Sequence, residues 1–174
     1  MSSETDDRIW IESTRGPDDE PVCMIAWGPI QCHASVADVR DTALDLIACA
    51  SYAEVMMLMV TGAGIPPATV SGFMSDLLSG TGRAFFGAKT TMSMLPAGSS
   101  KRRQAFVILK RGSRKGELSP AEARAMALRW LAVAEATESD QLVSEALRST
   151  GTDDGTQEKM FGYLRELRSR AVTP

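Results

Sequence analysis

The chain repeats itself once, without a gap, at a step of 84 residues. Ser35 and Ser119 stand 119 − 35 = 84 apart. The same step carries Ala37 to Ala121, Arg40 to Arg124, Ala43 to Ala127, Leu44 to Leu128 and Ala48 to Ala132. It goes on through Ala50/Ala134, Glu54/Glu138 and Leu58/Leu142. Upstream, Val22-Cys23-Met24-Ile25 falls on Phe106-Val107-Ile108-Leu109, Gly28 on Gly112, and Trp10-Ile11 on Met94-Leu95. Two Ala-rich helices align by composition alone at some offset. Apolar strand segments and a glycine pair falling into the same register favour a duplication.

Each copy reads as strand, loop, strand, long helix, shorter helix. In the first, 8–13 alternates, Arg15-Gly16-Pro17-Asp18-Asp19 carries turn chemistry, and 22–27 is the return strand, ended by Gly28-Pro29. A helix follows over 36–60, with Val36, Val39, Ala43, Ile47 and Ala50 at helical spacing and Asp38, Asp41 and Asp45 on the opposite, solvated side. The Gly62-Ala-Gly64-Ile-Pro66-Pro67 run breaks it before a short helix at 69–79. The second copy gives strands over 84–95 and 104–111 and a helix from Ser119 to about Leu147. That helix opens on Ser119-Pro120-Ala121-Glu122, a capping box with Pro at the first helical position. The last helix covers 157–169.

A lone two-strand, two-helix unit buries little core, and an isolated hairpin is marginal. The expectation is therefore an α+β fold of two tandem ββαα repeats, at 8–83 and 84–170, after a disordered tail at 1–7. The two hairpins would join in one pseudo-twofold, four-stranded antiparallel sheet with the helices on one face, a single compact domain resembling a homodimer in one chain.

The stretch Leu118-Ser-Pro-Ala-Glu-Ala-Arg124, with Ala127-Leu128, Ala132, Ala134-Glu135-Ala136, Glu138 and Asp140, resembles a motif of short actinobacterial and actinophage proteins. Those proteins also carry an apolar strand ending in Trp-Gly, as Ala26-Trp27-Gly28 does in the other copy. The resemblance covers well under half of the chain. It implies a compact strand-plus-helix unit and a phage or mobile-element origin, and it carries over no catalytic residues. The first copy departs from the motif, with Val36 in place of Pro and Asp38 in place of Glu.

Function is less legible. With 174 residues and 44% apolar content the chain suits one globular domain rather than a disordered one. A net charge of −3 removes the simplest argument for nucleic-acid binding, though not a local one. Three Cys make a disulfide framework unsuitable and point to a reduced cytoplasmic setting, and the single His excludes a multi-His metal site. The Ser/Glu/Asp-rich start offers no signal peptide, and the uncharged 55–75 stretch is interrupted by Gly62, Gly64 and Pro66-Pro67, so no membrane span is expected.

The main charge feature is Lys101, Arg102, Arg103, Lys110, Arg111, Arg114 and Lys115, flanking the apolar Phe106–Leu109 run. Such cations suit phosphates or an acidic protein surface, or simply guard an edge strand against mispairing. His33 beside Cys32, with Cys23 nearby, lacks an orienting third group, and the Gly80/Gly82 loop precedes a strand rather than a helix as phosphate loops require. Neither catalytic residues nor a metal or cofactor is expected. The reading is a non-enzymatic binding or regulatory protein, phage- or mobile-element-encoded, that engages a macromolecule, protein before nucleic acid, through its basic second hairpin. The alternatives are a self-associating assembly protein, hence a homo-oligomer, and a nucleic-acid binder.

Overall fold

The computed structural model describes residues 8–80, 86–87 and 92–171. The first half contains β1 (Ile9–Arg15), β2 (Pro21–Trp27), β3 (Ile30–Ala34), α1 (Val36–Thr61) and α2 (Pro67–Gly80). The second contains β4 (Phe86–Gly87), β5 (Met92–Ser99), β6 (Gln104–Arg111), β7 (Arg114–Leu118), α3 (Pro120–Ser149) and α4 (Asp154–Ala171). The α+β class holds, but the expected ββαα unit and the single four-stranded sheet do not. The strands form two antiparallel sheets, β1-β2-β3 and β4-β5-β6-β7. The tail at 1–7, and positions 84–85 and 88–91 of the expected strand at 84–95, lie outside the described residues.

The missed strands follow from two tight turns. Gly28 and Gly112 have φ of 58° and 57°. Each is the first of only two residues between paired strands, a place where glycine lets the chain reverse at no steric cost. Gly28-Pro29 therefore turns the chain into β3 rather than ending the sheet, and Gly112-Ser113 does the same for β7.

The repeat is visible in the pairing. β2 and β3 pair Cys23↔Ala34, Met24↔His33, Ile25↔Cys32, Ala26↔Gln31 and Trp27↔Ile30. Adding 84 to every number gives Val107↔Leu118, Ile108↔Glu117, Leu109↔Gly116, Lys110↔Lys115 and Arg111↔Arg114, the register of β6 with β7. The outer strands depart from the step by one. β1 pairs Ile11 with Ile25, whereas β5 pairs Met94 with Leu109, so Ile11 matches Met94 at 94 − 11 = 83. A hairpin turn shorter by one residue accounts for the slip: 16–20 in the first half, 100–103 in the second. The slip corrects the alignment of Trp10 with Met94, because Met94 is fully buried and Trp10 is 38% exposed. A one-residue shift in a strand exchanges its faces.

Both long helices start on a serine cap. The Ser35 and Ser119 side chains accept from the amides of Asp38 and Glu122, and Glu122 returns the bond to the Ser119 amide. α1 and α3 pack antiparallel along each other. The Arg40–Glu138 and Arg124–Glu54 bridges fix their register and put Ile47 and Leu131, themselves 84 apart, at the midpoint. The packing onto the sheets is exchanged: α1 lies chiefly on β5 and β6 of the second sheet, and α3 on β1 and β2 of the first. One core results, drawing on Cys23, Ile25, Val39, Ala43 and Leu46 from the first half and Met92, Met94, Val107, Leu109 and Trp130 from the second. α1 is long and apolar enough to cross a bilayer by length and composition, but its Val39, Ala43, Leu46 and Ala50 are fully buried in this core.

The sheets meet at their tight turns, through side chains and not through a strand ladder, which is why they remain two. The Trp27 ring packs on Gly116, where an added Cβ would lie 3.3 Å from Cζ2. Arg111, the residue 84 beyond Trp27, points its guanidinium back at the carbonyls of Ile25 and Ile30.

Candidate functional site

The structure does not gather the seven cations of the second hairpin into one patch. Lys101, Arg102 and Arg103 form the exposed turn between β5 and β6. Lys110 and Lys115 lie at the other end of β6, roughly 20 Å away along the strand. Arg111 is 2% exposed and is withdrawn between the sheets, so it is no part of a surface patch. Side chains alternate across a strand, and Arg111 follows the buried Val107 and Leu109 rather than Lys110. Arg114 is half-buried against Gly28. Arg102 is engaged locally, 3.7 Å from Glu117 and over the Phe106 ring.

Two surface features remain at this hairpin. One is the pair Lys110↔Lys115, exposed and directly opposite across β6 and β7. Like charges placed so disfavour the sheet, and the nearest acid on the same face is the exposed Glu117, two residues along β7 and opposite Ile108. On the same face, next along β5 and β6, lie the half-exposed apolar pair Leu95↔Ile108 and then Phe106. The other is the turn, where equivalent positions carry opposite charge. Asp19 and Arg103, 84 apart, both adopt positive φ, 60° and 54°. At the first tip Asp18 and Asp19 stand where the second holds Arg102 and Arg103, while Glu20 falls on Gln104 and Pro17 on Lys101.

The cysteines and the histidine do not converge. His33 is exposed opposite Met24 on the outer face of its sheet, while Cys23 is buried on the inner face. The Cys23 sulfur lies 3.3 Å from Thr137 Oγ1, and burial pushes its thiol pKa up. Burial raises Cys49 further, to about 12. Both are protonated near neutral pH, so neither supplies a thiolate nucleophile. Among the described residues no group of His, Cys, Asp or Glu could hold a metal ion.

Sequence reasoning missed an apolar cleft of about 350 Å³ between β1 and α3, lined by Ile9, Trp10, Ile11, Met126, Arg129, Trp130, Ala132 and Val133. The signal available was Trp10 itself, a large aromatic on a short alternating strand. Comparison of the chain with family models, curated proteins and solved structures finds no match.

Proposed function

We propose that this is a small non-enzymatic binding or regulatory protein that docks an acidic protein surface on the outer face of its second sheet. The observation that carries the reading is the exposed Lys110↔Lys115 pair beside Leu95, Ile108 and Phe106, a cationic end continuing into a half-exposed apolar strip. Interfaces combine such an apolar centre with charges that steer the partner and fix its register. The basic turn at 101–103 borders the far end of this strip, where Arg102 lies over the Phe106 ring, and belongs to the rim. A cytoplasmic setting and a phage or mobile-element origin complete the proposal, resting on the reduced cysteines and the 118–140 motif.

Capture from host lysate by the wild-type protein and by K110E/K115E tests it. The expected result is an acidic protein retained by the wild type and lost by the variant. Tight, steeply salt-dependent binding of duplex DNA, abolished by the same variant, would replace the reading with nucleic-acid binding.

A second reading, self-association, is favoured by four exposed leucines. Leu44 and Leu58 on α1 recur 84 residues later as Leu128 and Leu142 on α3, and all four are more than half exposed. Leucines kept outward at matched places in both halves suit a helix-on-helix contact between copies. Light scattering of the wild type against L58S/L142S decides it: a dimer that becomes monomeric supports assembly.

A further inference from the structure

The repeat places a pocket twice, and the two copies have opposite chemistry. One lies where α1 and α2 meet the β5–β6 turn, holds about 70 Å³ and is lined chiefly by Met56, Met57, Val60, Pro67, Val70 and Gly98. The other lies where α3 and α4 meet the β1–β2 turn, a cleft of about 370 Å³. It shares Arg15, Phe161 and Arg165 with a recess of about 30 Å³ that reaches Asp140. α2 and α4 begin 87 residues apart, at Pro67 and Asp154, and bury Val70 and Met74, Gln157 and Phe161 at that step. The steps are thus 84 for the long helices, 87 for the short ones and 83 for the outer strands. Met56, Val60, Val70 and Gly98 of the small pocket accordingly stand where the other half has Asp140, Ser144, Gln157 and Arg15. Asp140, Ser144 and Gln157 are each no more than 5% exposed. Asp140 Oδ2 accepts from Ser13 and Arg168. Its Oδ1, and the hydroxyl of Ser144 one turn along α3, have no hydrogen-bond partner among the described residues. Buried polar groups without partners cost stability, and the small pocket fills the same places with apolar side chains, so the fold alone does not call for them.

We propose that this cleft binds a free α-amino acid with a basic side chain, its ammonium at Asp140, its carboxylate on Arg165 and its side chain toward Asp154 and Glu158. The recess beside Asp140 has room for one water-sized group, the size of an ammonium, and a half-satisfied buried carboxylate favours a charged donor. Arg165 is exposed and gives its Nε to the Phe161 carbonyl at 3.4 Å, which leaves the paired Nη groups for a carboxylate. Arg15 does not compete for it, because its Nη1 bonds Asp19 and its guanidinium lies over the Phe161 ring as one wall of the cleft. The exposed carboxylates of Asp154 and Glu158 complete the lining and select a cationic side chain. A cleft of this volume is at the small end of the range for small-molecule sites. The site shares no residue with the Lys110/Lys115 face and stands or falls without it.

The test is isothermal titration calorimetry of the full chain with each of the standard amino acids, up to about 5 mM. Saturable binding is expected, strongest with lysine or arginine. Nα-acetyl-lysine, which lacks the ammonium, and cadaverine, which is lysine without its carboxylate, should each bind at least about tenfold more weakly than lysine. D140M/S144V installs the pair that the small pocket carries. It should abolish binding while the melting temperature stays the same or rises, since buried polar groups without partners are removed. R165A changes an exposed side chain and should weaken lysine about tenfold while leaving cadaverine unaffected. Binding of no amino acid overturns the proposal. So does cadaverine binding as tightly as lysine, a preference for apolar amino acids, or binding that D140M/S144V leaves unchanged.

Discussion

Arg124 holds Glu54 across the two halves of the chain, Nη2 to Oε2 at 2.5 Å, and its counterpart Arg40 holds Glu138 at the same distance. The third member of each cluster also obeys the repeat. Arg124 reaches Ser51, and Arg40 reaches Glu135, 84 residues beyond Ser51. These bridges are part-exposed and screened, so their effect on stability is modest, but they fix how α1 and α3 register. R124E is expected to lower the melting temperature by roughly 2–4 °C. Adding E54R should restore most of the loss, and the coupling should shrink in high salt. A loss unaffected by the second substitution would separate the bridge from the register.

The same bridges set the acid response. Arg124 and Arg40 hold the carboxyls of Glu54 and Glu138 below the usual carboxylate range. A group whose folded pKa is lowered contributes stability above its unfolded value, about 4.3 for Glu, and the contribution fades as pH falls through the folded value. The urea midpoint should therefore fall below about pH 4.5. In E54Q/E138Q that part of the pH dependence should flatten, while the midpoint near neutral pH should be lower than in the wild type.

How much of this was legible in the sequence depended on the physics involved. The Ser119/Glu122 capping box was readable because it is local, and the 84-residue step was readable because it preserves residue identity. The third strand of each half was not. Ile30-Gln31-Cys32-His33-Ala34 alternates but is only five residues long, Arg114-Lys115-Gly116-Glu117-Leu118 has no apolar alternation, and Gly28-Pro29 reads as a terminator unless its two-residue spacing is weighed against β2. The one-residue slip at β1 was hidden because it rests on turn length. The exchange of helices between sheets leaves no pattern in either helix alone. Arg111 looked like a member of the surface cluster because charge invites exposure, and only the alternation of β6 after Val107 and Leu109 argued otherwise.

The turn glycines should differ in their tolerance. Gly28 and Gly112 share the same positive φ, and Ala there costs about 1–2 kcal/mol from the backbone alone. A Cβ at Gly28 would also sit 2.5 Å from Arg114 Nη2, whereas at Gly112 the nearest atom is Ile30 Cδ1 at 3.7 Å. Urea denaturation should rank G28A as more destabilising than G112A. Equal effects would show that Arg114 swings aside freely.

Neighbouring cations on β6 should separate cleanly in the same assay. R111A removes a buried side chain that joins the two sheets and should cost about 2–4 kcal/mol. K110A removes an exposed one and should stay within about 0.5 kcal/mol, or stabilise slightly by relieving Lys115.

Helix exchange can be read most directly at Cys23 and Thr137, where β2 of the first half meets α3 of the second with sulfur and hydroxyl 3.3 Å apart. In a C32S/C49A background, T137C should oxidise to an intramolecular disulfide, detected by mass spectrometry after proteolysis without reductant, and the melting temperature should rise on oxidation. A protein that stays fully reduced under mild oxidant, or links only between molecules, would contradict the packing of α3 on the first sheet.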